Sequence, residues 1–265
     1  MTQLADSRGH FRLDVRRALF DTRIMINFLL IHGAWHTGVH LTPVVRHLEL
    51  QGHRAVAPTL LGRGNGAEKR VSHAQLVAGV VGFIEQRDLR DFVLVGHSFG
   101  GSIIARLAEE VPDRIRRLVF WNAFIPKAGH AVMDDLQPRY RALFEASSSN
   151  SPDQTTMLPY PVWREAFIND ADATLAKSAY DTLCPEPMQP GLDPLDLSRF
   201  YQTTIPKSYL NATEDIALPP GEWGWHPRMS SRLGLYRLVQ MPGSHEVLFT
   251  NPAGVAQSLI AAGRD

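Results

Sequence analysis

The chain has a single cysteine, Cys184, in 265 residues. That excludes an internal disulfide framework and a cysteine-based metal cage, and it makes a cytoplasmic setting the expectation. Charge of one sign is not in excess either. Twenty-seven Lys and Arg face 27 Asp and Glu, so no global field draws nucleic acid or an anionic membrane, and neither is expected as a partner. No run approaches the roughly 18 consecutive apolar residues of a membrane span. The first 24 residues mix arginines with aspartates and lack the apolar segment and small-residue cleavage site of a secretory signal. Residues 1–24 read as an extension, with Met25 as a candidate natural start and a basic amphipathic helix as the alternative for the segment. The remaining length suits one large domain with a sizeable core.

Within that domain, short apolar runs alternate with helical patterns, the signature of a parallel sheet wrapped by helices. The expected strands are "INFLLIHG" at 26–33, "HRAVAPT" at 53–59, "DFVLVGH" at 91–97 and "RLVFWNA" at 117–123. Two more follow, "KSYLNATED" at 207–215 and "LYRLVQMPGSH" at 235–245. Between the first two, Thr42 as N-cap, Pro43 and Gly52 bound a short helix. Ser72 and Gln75 form a capping-box pattern ahead of Leu76, Val77, Val80, Phe83 and Ile84 at helical spacing. Asn251 and Pro252 announce a last helix. From about 125 to 204 the alternation stops, and proline, serine and isolated large apolar residues indicate an inserted cap.

The stretch "FVLVGHSFGGSIIARLA" at 92–108 sets Ser98 between two glycines where strand pattern gives way to helix pattern. Chance alone supplies roughly 0.1 matches to G-x-S-x-G in a chain this long, so the motif needs support. A serine hydroxyl is a weak nucleophile; it requires a base, a carboxylate to orient that base, and donors for the developing oxyanion. His245 in "MPGSHEVLFTNP" follows the last expected strand and is the candidate base. Asp215 follows the strand before it and is the candidate acid, with Glu214 adjacent as the alternative. The order Ser, acid, His, each at a strand end, is that of an α/β-hydrolase. The backbone N–H groups of Phe99, after the serine, and Ala34, in "HGAWH" after the first strand, fit an oxyanion hole. Gly33 lets that loop turn back. Trp35, Met157, Trp163 and Phe167 are candidate substrate contacts, set against the plainer reading that cap residues of this kind form cap core.

On "FLLIHGAWHTG", "GHSFGG", "NATEDIALP" and "GSHEVLFTNP" the chain resembles the α/β-hydrolase superfamily. Within it the chain is similar to the branch of plant methyl esterases, hydroxynitrile lyases and bacterial carboxylesterases of the pyrethroid-hydrolase type. The resemblance covers about residues 26–262. It implies an eight-stranded, mostly parallel sheet with an inserted helical cap, no cofactor, a small-molecule ester as substrate, and the triad Ser98, Asp215 and His245. The acid falls on Asp215 because related enzymes carry it directly before "IALPP". Hydroxynitrile lyases carry threonine at the place of Gly33 and lysine at that of Glu246, so both positions favour an esterase. Lyase or cofactor-free oxygenase chemistry with His245 and Asp215 as base, and a slow ligand receptor on the same fold, are the alternatives.

Two other patterns carry less. His32, His36 and His40 recur every four residues, but Gly33 and Gly38 interrupt the helix that would align them for a metal. The glycine-rich "LLGRGNGAEKR" at 60–70 lacks the lysine and hydroxyl residue that close a Walker motif. It reads as a surface loop.

Overall fold

The computed structural model describes residues 25–64 and 66–265; the extension expected at residues 1–24 lies outside the described residues. Four strands form where the first half alternates: β1 (Asn27–Ile31), β2 (Arg54–Val56), β3 (Phe92–His97) and β4 (Ile115–Trp121). Two more, β7 (Lys207–Ala212) and β8 (Arg237–Met241), complete a six-stranded sheet. The two short strands between them, β5 (Thr155–Thr156) and β6 (Glu186–Pro187), pair antiparallel as a separate ribbon. The order in the sheet is β2-β1-β3-β4-β7-β8, and every pairing is parallel. The eight strands implied by the resemblance are thus six among the described residues. Met25 is the first of these residues and β1 the first strand, and the only other strands, β5 and β6, belong to the ribbon.

Alternation along the central strands sends side chains to two cores. Leu29, Ile31, Phe92, Leu94, Leu118 and Phe120 join the cluster under the helices α2 (His73–Gln86) and α3 (Gly100–Glu110). Phe28, Leu30, Val93, Val95, Val119 and Trp121 join the opposite cluster, under α1 (Thr42–Leu50) and the last helix, Pro252–Gly263. A strand buried on both faces must be apolar throughout, which is why these runs are nearly continuous. The helix signals act as expected, with one shift. Ser72 Oγ accepts from the Gln75 N–H while the Gln75 side chain accepts from the Ser72 N–H, and Asn251 Oδ1 accepts from the Gly254 N–H. Thr42 is the first helical residue of α1 rather than its cap, because the 3-10 turn Gly38–Leu41 leads directly into it.

The topology fixes where a site can lie. From β1 the chain crosses to β2 on one side, and from β3 it crosses to β4 on the other, so the loops after β1 and β3 diverge from neighbouring strand ends. A crevice opens at such a switch point. The turn after β3 is tight: Ser98 has φ +53, in the left-handed region. A Cβ on Gly96 would lie 2.6 Å from the Gly100 carbonyl oxygen, and one on Gly100 would lie 2.6 Å from that of Ile31. Gly82, by contrast, sits in α2 with nothing within 4 Å of such a Cβ. We therefore expect Gly100→Ala to cost about 1–3 kcal/mol through backbone overpacking, and Gly82→Ala to raise stability by about 0.5–1 kcal/mol. Urea unfolding of the two variants checks this; equal effects of the two alanines would contradict the contact argument.

Candidate active site

At the carboxyl edge of the sheet, the residues beyond four strands come together. Ser98 follows β3, Ala34 lies beyond β1, Asp215 beyond β7 and His245 beyond β8. His245 Nδ1 and Asp215 Oδ2 are 2.6 Å apart, with both side chains buried. An ionised carboxylate only accepts, so Nδ1 carries the proton and Nε2 is left with a free lone pair. Asp215 is held in turn: its Oδ2 accepts from Asn122 Nδ2 at 2.7 Å and its Oδ1 from the Ala217 N–H at 2.9 Å. Asn122, just past β4, was not singled out by sequence. Its Oδ1 also accepts from the Ala212 N–H at 2.6 Å, which ties the end of β7 to β4. Glu214 is exposed.

The imidazole of His245 is boxed by rings. Trp225 stacks on it, with centroids 5.1 Å apart and planes 9° from parallel, and Phe167 meets it edge-on at 5.3 Å. His97 packs 4.7 Å away and donates from Nε2 to the His245 carbonyl at 3.1 Å. Burial works against a charged His245, but the charge of Asp215 and its hydrogen bond together outweigh it and raise the imidazole above its ordinary 6.5. His97 goes the other way: burial, reinforced by repulsion from His245, drives it well below. Two adjacent rings are thereby divided into one that can take a proton and one that stays neutral.

Ser98 and His245 line one cavity together with Ala34 and Phe99. About 690 Å³ of atom-free space lies in this cavity and its open mouth together. Its wall is otherwise mostly apolar, from Phe124, Val132, Met133, Leu136, Phe144 and their neighbours. Among the described residues, the N–H groups of Ala34 and Phe99 donate to no protein acceptor. No hydrogen bond joins Ser98 to His245; contacts of this kind between a nucleophile and its base often tighten only in the complex with substrate.

Of the four expected substrate contacts, Trp35 and Phe167 line the cavity. Trp163 and Met157 do not. Trp163 is fully buried in the cap core, donating from Nε1 to the Ala176 carbonyl at 3.0 Å and stacking on Phe167. Met157 packs against that same cap cluster. The segment "PVWREAFI" contains a π-helical turn, Trp163–Phe167, closed by the Ile168 N–H on the Trp163 carbonyl. Trp163 and Phe167 stack within one buried cluster, and of the two Phe167 reaches the cavity wall. The Phe167 carbonyl accepts from the Glu246 N–H at 3.0 Å, fastening the cap to the loop that bears His245.

The three evenly spaced histidines have separate partners. His32 Nε2 accepts from the Leu60 N–H and its Nδ1 donates to the Gly33 carbonyl. His36 Nδ1 donates to the Ala34 carbonyl at 2.6 Å, and its Nε2 lies 3.0 Å from Glu246 Oε2, an ion-pair contact too poorly aligned for a good hydrogen bond. His40 Nδ1 accepts from the Thr37 N–H. Glu246, the position that would be lysine in a lyase, is thus a buried partner of His36. A Cβ on Gly33 would lie 3.0 Å from the Ser98 Cβ, so a side chain there presses on the candidate nucleophile.

The chain belongs to the alpha/beta hydrolase family, whose model matches residues 28–258. More particularly, it is an esterase-type member. It is 29% identical over 248 residues to the carbendazim hydrolyzing esterase of a Nocardioides species, covering 90% of this chain and 100% of that one. It is 25% identical over 253 residues to the pyrethroid hydrolase of Sphingobium wenxiniae, covering 88% of this chain and 86% of that one. A solved structure of an extracellular alpha/beta-hydrolase from a Paenibacillus species superposes with a TM-score of 0.89 at 41% identity, covering 91% of this chain and 100% of that one. That enzyme is described as sharing structural and functional homology with tobacco salicylic acid binding protein 2. Among the described residues no helix is long and apolar enough to cross a membrane.

The two carboxylates suggested by sequence now separate by environment. Asp215→Asn should lower esterase turnover by about 10⁴-fold, since an amide at this place favours the wrong tautomer of the base, whereas Glu214→Gln should leave it within twofold. Steady-state kinetics on one ester decides between them, and a larger loss from the Glu214 change would reverse the assignment.

Proposed function

We propose that the protein hydrolyses a small apolar or aromatic carboxylic ester through an acyl-enzyme on Ser98. The observation that carries this reading is the buried His245–Asp215 hydrogen bond at 2.6 Å, in the wall of an apolar cavity that Ser98 shares. In the first half-reaction His245 Nε2 takes the Ser98 proton as Oγ bonds to the ester carbonyl carbon. The carbonyl oxygen becomes an oxyanion facing the Ala34 and Phe99 N–H groups, with the start of α3 adding positive potential. Collapse expels the alcohol, which takes the proton back from His245. Water then repeats the sequence on the acyl-enzyme and releases the carboxylic acid. Asp215 stays ionised throughout and stabilises the imidazolium.

The low polarity of the wall supports an apolar acyl or alcohol group. In such surroundings the few polar groups act at low effective dielectric, which strengthens their hold on developing charge. The named activities of the Nocardioides and Sphingobium relatives, on carbendazim and pyrethroids, point to the same broad class of substrate. The lone cysteine supports a cytoplasmic setting, which the extracellular Paenibacillus enzyme does not share.

Against a panel of short-chain and aromatic nitrophenyl esters, Ser98→Ala should lose about a thousandfold or more, and a serine-directed organophosphonate should label Ser98 in the wild type. Undiminished hydrolysis in the variant would refute the nucleophile. The pH profile follows from the raised imidazole. Only neutral His245 can accept the serine proton, so kcat/KM should climb with pH through an inflection above 6.5. In Asp215→Asn the attraction that raises the imidazole is gone and burial remains, so the residual activity should show its inflection below that of the wild type. An inflection unmoved, or moved upward, would contradict the assigned pair.

A further inference from the structure

Trp35 follows Ala34 in the loop beyond β1 and has φ +61, a left-handed conformation that a bulky residue rarely adopts. All of its polar groups are bound, and every partner lies on or beside the cap ribbon. The Trp35 N–H donates to Glu186 Oε2 at 3.1 Å. Its carbonyl accepts from the Cys184 N–H at 2.9 Å, and its indole Nε1–H donates to the Thr156 carbonyl at 3.2 Å. Thr156 is on β5 and Glu186 on β6.

Glu186 is itself anchored. Its Oε1 is ion-paired with Arg63 Nη2, and the Arg63 side chain is fully buried. Arg63 belongs to the glycine-rich loop after β2, which Lys69 closes by donating to the Gly62 and Gly64 carbonyls. The Arg63 guanidinium also lies 5.7 Å over the ring of Phe99. One buried ion pair therefore touches both sides of the expected oxyanion site: Glu186 holds the residue after Ala34, and Arg63 rests on Phe99. The carbonyls of the same loop are turned elsewhere, Gly33 to His32 Nδ1 and Ala34 to His36 Nδ1. Among the described residues the Ala34 N–H has no protein acceptor, and Ala34 lines the cavity.

We infer that Glu186, anchored by Arg63, is a positioning residue that assembles the oxyanion hole by fixing Trp35 in its left-handed conformation and so directing the Ala34 N–H toward the reacting carbonyl. The inference rests on the reading of Ser98 as nucleophile with Ala34 and Phe99 as donors. Glu186 forms no bond to substrate in this role; it acts through the loop. Docking of the cap ribbon and completion of the oxyanion site are then one event, because the same hydrogen bonds do both.

The test compares Glu186→Ala, which has no acceptor for the Trp35 N–H, with Glu186→Gln, which keeps a carbonyl acceptor at full side-chain length. Loss of one oxyanion donor costs about 10²–10³-fold in kcat. Glu186→Ala should therefore lose about a hundredfold in kcat with KM within about threefold, and Glu186→Gln should recover to within about tenfold of the wild type. Affinity for a boronic acid that adds to Ser98 should fall in step with kcat/KM. Should the alanine variant fail to fold, Glu186→Asp takes its place: it retains the charge but is one methylene short of meeting Trp35 and Arg63 together, and should be slower than Glu186→Gln. A structural clamp alone would lower thermal stability and raise KM with kcat and relative boronate affinity intact, which would overturn the inference. Organophosphonate labelling separates the two levels. Wild-type protein left unlabelled at Ser98 defeats the catalytic reading itself, whereas labelled protein with kcat indifferent to Glu186 defeats only the positioning role.

Discussion

The turn from β3 into α3 folds tightly and closes on β1 because Gly96 and Gly100 carry no Cβ: one on Gly96 would lie 2.6 Å from the Gly100 carbonyl oxygen, and one on Gly100 2.6 Å from that of Ile31. This contact is what brings Ser98, at φ +53, beside the loop carrying Ala34. Gly101 extends the same condition to the neighbouring strand end, where a Cβ would lie 2.3 Å from the Phe124 carbonyl oxygen. The sheet order supplies the rest. With β1 and β3 adjacent and their crossovers leaving in opposite directions, the two loops bound one crevice. A larger residue at Gly96 or Gly100 would therefore disturb more than a local turn, since it separates groups contributed by different strands.

Around that contact the buried ionisable groups occur largely as pairs joining distant segments: His245 with Asp215, His36 with Glu246, Arg63 with Glu186. An ion pair buried in this way adds little stability relative to apolar packing, yet loss of one member leaves an uncompensated charge. Such pairs consequently tolerate little change in relative position. His36 shows the electrostatics clearly: burial disfavours its charged form, but Glu246 reverses the balance and raises it. His32 and His97, buried with no carboxylate paired to the ring among the described residues, are driven well below their ordinary value. A group of histidines of identical chemistry is thus sorted into charged-prone and neutral members by which loop lies opposite each.

What sequence reveals here follows from how local the signal is. The six sheet strands, the Ser72 capping box and the strand-to-helix junction at Ser98 are written in residues within a few places of one another, and they are legible. A carboxylate at 214 or 215 set against His245 is also legible, because each closes a recognisable strand, whereas the choice of Asp215 over Glu214 comes only from the family resemblance. Asn122 is not, since its value lies in spanning from β4 to β7 and to the carboxylate beyond, and a lone asparagine after a strand is ordinary. The cap is hardest to read. Trp163 and Phe167 are four apart and stack on one face of the segment, and only their depth in the cap, which spacing does not encode, leaves Phe167 at the cavity and Trp163 behind it. Arg63 and Glu186 are separated by 123 residues with no periodic pattern around either.

That last pair shows why the cap cannot be treated as a cover laid over a finished core. A non-glycine residue held in the left-handed region costs about 1–2 kcal/mol, whereas each hydrogen bond contributes about 0.5–1.5 kcal/mol net. All three backbone and indole polar groups of Trp35 bond to the ribbon region, so its conformation is favoured with β5 and β6 docked and disfavoured without them. The core brings β1 and β3 together but leaves the residue after Ala34 without a reason to adopt φ +61. Two segments more than a hundred residues downstream supply that reason, and the wall of the cavity is complete only when they do.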